Sequence, residues 1–205
     1  MERGLTKHGL AVASSNLLLA VIYSLFLFAH VRAFIIEPRL SLLLLAAFES
    51  FCLILVLIRK DSSDTWHSWQ TWITTMGGTF LPLLLRPAVG AEDVPLGQGL
   101  QVAGCIFMIG ALFSLNRSFG LLPAHRGVKT NGLYRLMRHP LYLAYLVAQL
   151  GYVVNNPSVQ NVAIVLVATS LQVLRIRNEE TFLLRDPEYA AYVGRTRWRL
   201  VPLLW

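Results

Sequence analysis

Two short stretches of this 205-residue chain hold the side chains best suited to chemistry. The first, Gly132-Leu-Tyr-Arg-Leu-Met-Arg-His-Pro-Leu-Tyr142, sets two arginines, a histidine and two tyrosines in otherwise apolar sequence. Pro140 opens a new apolar run. Proline suits the first turn of a helix, where its missing N–H has no intrahelical partner to lose. Arg138 and His139 then fall at a helix N-terminus, where unpaired backbone N–H groups favour anionic or electron-rich ligands. His139 and Tyr142, three positions apart, share one face. The second stretch, Arg175-x-x-x-Glu179-Glu180, places an arginine and a carboxylate one helical turn apart. Each has a plain reading as well: a basic flank with an interfacial tyrosine for the first, a surface ion pair for the second.

The elements that position these residues follow from composition. Apolar residues make up 55% of the chain and charged ones 14%, with a mean hydropathy of +0.55. Those values fit an all-α, polytopic transmembrane bundle of five to six spans. The apolar runs are 9–31, 40–58, 72–85 and 96–115, then 141–154 and 159–176. The last two are separated only by Asn155-Asn156-Pro157-Ser158, a turn that makes them a helical hairpin. The hairpin brings Arg138–Tyr142 and Arg175–Glu180 to the same end. Arginine, histidine, two tyrosines and a carboxylate thus converge on one pocket at the membrane edge. The tail from Arg177 reads as a helix and a strap along the membrane face. Trp66, Trp69 and Trp72 read as interfacial anchors. The N-terminal run reads as a retained span rather than a cleaved signal.

Charge placement orients the bundle. Of the 18 Lys and Arg residues, only Arg32, Arg39 and Arg86 fall on one side; all others lie with the N-terminus and the basic 117–139 segment. That asymmetry puts the N-terminus and the pocket in the cytosol of an integral membrane protein. The net charge of +7 is distributed between apolar runs, with no solvated basic face for nucleic acid. Cys52 and Cys105 form no disulfide or metal pattern, and no His, Cys, Asp and Glu cluster has metal-ligand spacing, so no metal is expected. There is no phosphate-loop or dinucleotide fingerprint. Glu49, inside a span, reads as protonated or paired with Ser50 or a neighbouring helix. His30 reads as interfacial. No GxxxG-type seam stands out.

In combination, Gly132-x-Tyr134-x-x-x-Arg138-His139-Pro140-x-Tyr142, the hairpin, Arg175-x-x-x-Glu179-Glu180-x-x-Leu183 and Tyr189-x-x-Tyr192 resemble the isoprenylcysteine carboxyl methyltransferase family and the wider membrane phospholipid methyltransferases. The resemblance covers about 118–203. It implies N-terminal transmembrane helices over 1–116 and a catalytic region over 117–205. It implies S-adenosylmethionine in a cytosol-facing pocket, contacted by Arg126, Gly127, Val128, Lys129, Tyr134, Arg138, His139, Pro140, Leu141, Tyr142, Glu179 and Glu180. Arg175 matches the arginine that faces the substrate, and Arg175 and Glu179 are the expected catalytic pair. The segment between Glu180 and Tyr189 is shorter than in the eukaryotic enzymes, and Leu143-Ala144 replaces the usual small residue after Tyr142.

The chemistry is consistent with that resemblance. A sulfonium donor with its own amine and carboxylate suits a glutamate at one end and a helix N-terminus at the other. Methyl transfer is a direct displacement governed by alignment and exclusion of water. A carboxylate acceptor needs no base, only a bidentate arginine. The expected activity is methyl transfer to a lipid-borne or apolar substrate such as a prenylcysteine carboxylate. A phospholipid amine or a thiol is the alternative acceptor. An NADPH-dependent membrane reductase and a non-enzymatic transporter or scaffold are the alternatives from other classes.

Overall fold

The computed structural model describes residues 7–58, 68–115 and 127–205. They form seven α-helices: α1 (Lys7–Ile36), α2 (Leu40–Ile58), α3 (Trp69–Phe80), α4 (Pro95–Leu115), α5 (Pro140–Asn155), α6 (Val159–Leu183) and α7 (Pro187–Arg195). Two 3₁₀ turns, Leu81–Leu84 and Gly132–Arg135, complete the set, and no strand occurs among the described residues. The all-α expectation is met. Among the described residues three stretches are long and apolar enough to cross a membrane: Leu17–Ile36 within α1, all of α4 and all of α6; Leu40–Ile54 is apolar but shorter. Leu25, Phe28, Ile35 and Ile36 on α1 and Phe113 on α4 are exposed, as side chains facing lipid would be.

Several boundaries differ from the apolar runs. α1 continues past Val31 to Ile36, so the expected polar bridge shrinks to Glu37-Pro38-Arg39. The expected third span stops being α-helical at Phe80 because Pro82 supplies no N–H, and the chain tightens into a 3₁₀ turn. α6 runs on to Leu183, which carries Arg175, Glu179 and Glu180 as part of one rod. Its start is capped by Ser158, whose hydroxyl accepts from the Asn161 N–H at 3.1 Å.

α4 and α5 pack antiparallel along a seam of small residues. A Cβ on Gly104 would come within 2.7 Å of Ala148, and one on Gly151 within 2.6 Å of the Gly97 carbonyl and the Gln101 nitrogen. A close-packed glycine seam is therefore present within the chain, where the sequence pattern had shown none. Its glycines recur at Gly97 and Gly104, and Gly151 answers them from α5, a spacing of seven rather than four.

At the hairpin end, polar groups take the place of lipid-facing carbon. Arg39 donates 2.6 Å hydrogen bonds to the Asn156 side chain and the Ala91 carbonyl. Asn161 donates to the carbonyls of Arg86 and Asn156, each at 2.8 Å, and Asn155 accepts from the Val94 N–H at 2.9 Å. The turn is thus clamped to the loop before α4, satisfying backbone groups that the bilayer could not. His30 faces inward. It is buried, with Nδ1 2.9 Å from Glu49 Oε2 and Nε2 2.9 Å from the Leu85 carbonyl, so Glu49 is indeed paired with a neighbouring helix.

Candidate active site

Pro140 starts α5 as its proline position demands, and His139 occupies the N-cap. The helix rises from the 3₁₀ turn Gly132–Arg135, whose entry requires Gly132 at φ +59 with Ser114 packed against its α-carbon. From that turn Tyr134 points inward and is buried, as are Arg138, His139, Pro140, Leu141 and Tyr142. Across from them the last turns of α6 present Arg175, Glu179 and Glu180. The hairpin therefore brings the two motif stretches into direct contact.

Tyr142 makes the central junction. Its hydroxyl donates to Glu179 Oε2 at 2.9 Å, while the Arg175 guanidinium lies over its ring at 5.3 Å from the centroid. His139 stacks edge-on against the same ring at 5.5 Å, and Tyr145 follows one turn on at 6.2 Å. Arg175 also donates Nη1 to the Thr79 hydroxyl at 3.3 Å. Glu179 is half-buried at the edge of this cluster.

Glu180 has a different environment. Its carboxylate receives Arg138 Nη1 at 3.0 Å, His139 Nε2 at 3.1 Å and Arg199 Nε at 2.7 Å, and the residue is 3% exposed. Both oxygens are thus engaged by the protein's own cations. The backbone N–H groups of Arg138 and His139 are engaged too, donating to the carbonyls of Trp198 at 2.9 Å and Arg199 at 2.8 Å. The N–H groups of these two residues are therefore not free for a ligand: the strap 197–205 covers them, held in shape by Trp205, whose carbonyl accepts from residues 199–201. Arg199 is the contributor that motif reading missed. Its only sequence signal is its place in the closing Arg197-Trp-Arg199 run.

α7 closes another side. Asp186 caps it by accepting from the Glu188 N–H at 2.8 Å. The Tyr192 hydroxyl donates to the Tyr134 carbonyl at 2.7 Å. Burial pushes that hydroxyl up to about 12, so it stays a donor at physiological pH. Tyr189 is buried with its hydroxyl unpartnered among the described residues, and burial raises its pKa above the ordinary tyrosine range. Of the expected loop, Gly127, Val128 and Lys129 form the irregular lead into Gly132, with Gly127 at φ +81. Arg126, like Trp66, lies outside the described residues. Leu141 turns into the bundle core beside Met108 and Ala111.

Behind this cluster lies a cleft of about 790 Å³, open space at its mouth included. It is walled mainly by apolar side chains, among them Phe48, Leu83 and Ala148. Arg175 stands on its wall, and so do Thr79, Tyr23 and Tyr145. Arg175 accordingly faces both the Tyr142–Glu179 junction and the apolar cleft. Among the described residues no group of three or more His, Cys, Asp and Glu could hold a metal.

Residues 96–185 match the family described as isoprenylcysteine carboxyl methyltransferase (ICMT). That stretch begins in α4 and ends after α6, so it includes both motif stretches and the glycine seam but stops short of Tyr189 and Tyr192. The chain is also 38% identical over 94 aligned positions to Protein-S-isoprenylcysteine O-methyltransferase A of Arabidopsis thaliana. The alignment covers 42% of this chain and 47% of that protein, so the chain spans about half the length of the relative it matches. The family resemblance carried by the motifs is borne out for this segment.

Proposed function

We propose that this membrane bundle, with isoprenylcysteine carboxyl methyltransferase sequence over residues 96–185, transfers a methyl group from S-adenosylmethionine to the carboxylate of a lipid-borne substrate such as a prenylcysteine. The observation that carries the reading is the double position of Arg175, over the Tyr142 ring on one side and on the wall of the apolar cleft on the other. A cationic fork at the border of a polar pocket and an oily one suits an amphiphile whose carboxylate must stop at a fixed point. An amine acceptor is itself cationic and a thiol has no bidentate oxygen pair, so neither accepting group gains from that arginine.

The residues present fit the methyl donor. Glu179 offers a carboxylate to an amino group, and its orientation is fixed by the Tyr142 hydroxyl. The unpartnered, buried Tyr189 hydroxyl offers a donor or acceptor on the α7 side. Tyr134 and His139 supply ring walls, Pro140 and Leu141 the start of the helix, and Gly127–Lys129 the chain that enters beside them. S-adenosylmethionine, when bound, supplies a methyl group on a positively charged sulfur. Arg175 holds the accepting carboxylate ionised and oriented, and the aromatic cluster keeps water out, so alignment replaces a general base. Glu180 and Arg138 work one layer back, fixing the His139 ring and the strap. The 117–205 region is the catalytic part in this reading, the helices before it form the lipid-facing wall, and the pocket opens to the cytosol.

The test is calorimetry with S-adenosylhomocysteine, followed by labelled-methyl transfer to S-farnesylcysteine in membranes. Heat of binding together with label in the lipid product supports the proposal; no binding by the folded protein overturns it.

A further inference from the structure

The far end of the cleft is not apolar. Tyr142, Tyr145, Gln149 and Tyr152 recur at helical spacing along one stripe of α5. Tyr145, Gln149 and Tyr152 all line the cleft. Tyr152 lies ten residues beyond Tyr142, or about 15 Å along the axis. Glu49 of α2 lines the same cleft. Three buried polar atoms at this end have no hydrogen-bond partner among the described residues: Glu49 Oε1, Gln149 Oε1 and the Tyr152 hydroxyl. The residues are 3%, 8% and 1% exposed. Unpaired polar atoms at such depth are rare, and each is costly unless something fills the site.

Their chemistry is specific. His30 Nε2 faces the Leu85 carbonyl, which only accepts, so that nitrogen carries a proton. One further proton is then shared between His30 Nδ1 and Glu49 Oε2. Whichever atom holds it, Glu49 Oε1 remains an acceptor. Gln149 Oε1 is a second acceptor, and the Tyr152 hydroxyl can give or take one bond. A plain hydrocarbon tail would leave all three unmet.

We propose that this end of the cleft is a second polar subsite, formed by Glu49, Gln149 and Tyr152, which binds an O–H or N–H group on the far end of the amphiphile whose carboxylate sits at Arg175. The inference rests on the proposed function for the role of Arg175 and extends its substrate class to chains polar at both ends. The probes are a chain-length series of saturated fatty acids and their ω-hydroxylated counterparts, titrated calorimetrically into the full-length protein in lipid nanodiscs. In an oily pocket an added hydroxyl weakens binding. Here the best-fitting ω-hydroxy acid binds about tenfold tighter than its parent, the size of one well-made buried hydrogen bond. Tyr152→Phe and Gln149→Leu each reduce that ratio severalfold, and Glu49 keeps the remainder. Tyr152→Phe removes a hydroxyl that bonds nothing among the described residues, so its thermal midpoint should not fall. Equal or tighter binding of the plain acids at every length overturns the subsite, as does a preference that neither substitution lowers. Methyl transfer to S-farnesylcysteine is scored in parallel. Turnover without a hydroxyl preference sinks the subsite alone, and a hydroxyl preference without any turnover sinks methyl transfer while the subsite stands.

Discussion

The Tyr142 hydroxyl donates a 2.9 Å hydrogen bond to Glu179 Oε2, tying the first turn of α5 to the last turns of α6. Because the Arg175 guanidinium rests on the same ring, one tyrosine sets both the proposed donor contact and the proposed acceptor contact. Tyr142→Phe separates them. The ring stays under Arg175, but Glu179 loses its tether. S-adenosylhomocysteine affinity should fall about three- to tenfold, or about 1 kcal/mol, by calorimetry. Tyr142→Ala should also lower turnover, since it removes the ring beneath Arg175.

Glu180 should behave as a fold residue. Glu180→Ala strands the buried Arg138 and His139, and should lower stability by about 3–5 kcal/mol in denaturant titrations. Arg199 is a partly exposed partner of the same carboxylate, and Arg199→Ala should cost about 1 kcal/mol at most. Equal losses from the two substitutions would contradict the clamp described for Glu180.

The glycine seam makes its own prediction. Gly151→Ala drives a Cβ into backbone atoms of α4 at 2.6 Å, which cannot move aside as a side chain would. About 1–3 kcal/mol of stability should be lost. Gly99→Ala, with nothing within 4 Å of the new Cβ, should be neutral or slightly stabilising. Thermal midpoints of the two variants check the pair.

His30→Ala leaves Glu49 without its buried partner and frees the Leu85 carbonyl. A loss of about 3 kcal/mol is expected, and His30→Ala combined with Glu49→Leu should recover much of it. A double-mutant cycle with no coupling energy would show that the pair does not form.

The parts of this architecture set by composition and local pattern were legible in the sequence. Pro140 marked the start of α5, the Asn155–Ser158 turn made the hairpin, and the spacing of Arg175 and Glu179 put them on one face opposite Tyr142. What escaped depends on contacts between distant segments. His30 looked interfacial because nothing local shows that Glu49 and Leu85 meet it from two other segments. Arg138 and His139 looked ready for an anion because the strap that occupies their N–H groups arrives some sixty residues later. The glycine seam was hidden by its seven-residue spacing, and the cleft by the fact that six α-helices and a 3₁₀ turn share it.

The fate of the transferred methyl group is the most direct test of methyl transfer to a carboxylate held by Arg175. The purified protein in nanodiscs is given S-adenosylmethionine labelled in its methyl group, together with S-farnesylcysteine, and the lipid product is treated with base. A methyl ester releases its label as volatile methanol, whereas methyl groups on nitrogen or sulfur do not. The account predicts base-volatile label with the wild type. It predicts about a hundredfold less kcat/KM with Arg175→Lys, roughly the cost of losing a bidentate contact in the transition state, and S-adenosylhomocysteine affinity unchanged. Base-stable label, or loss of cofactor affinity in step with turnover in Arg175→Lys, would contradict it.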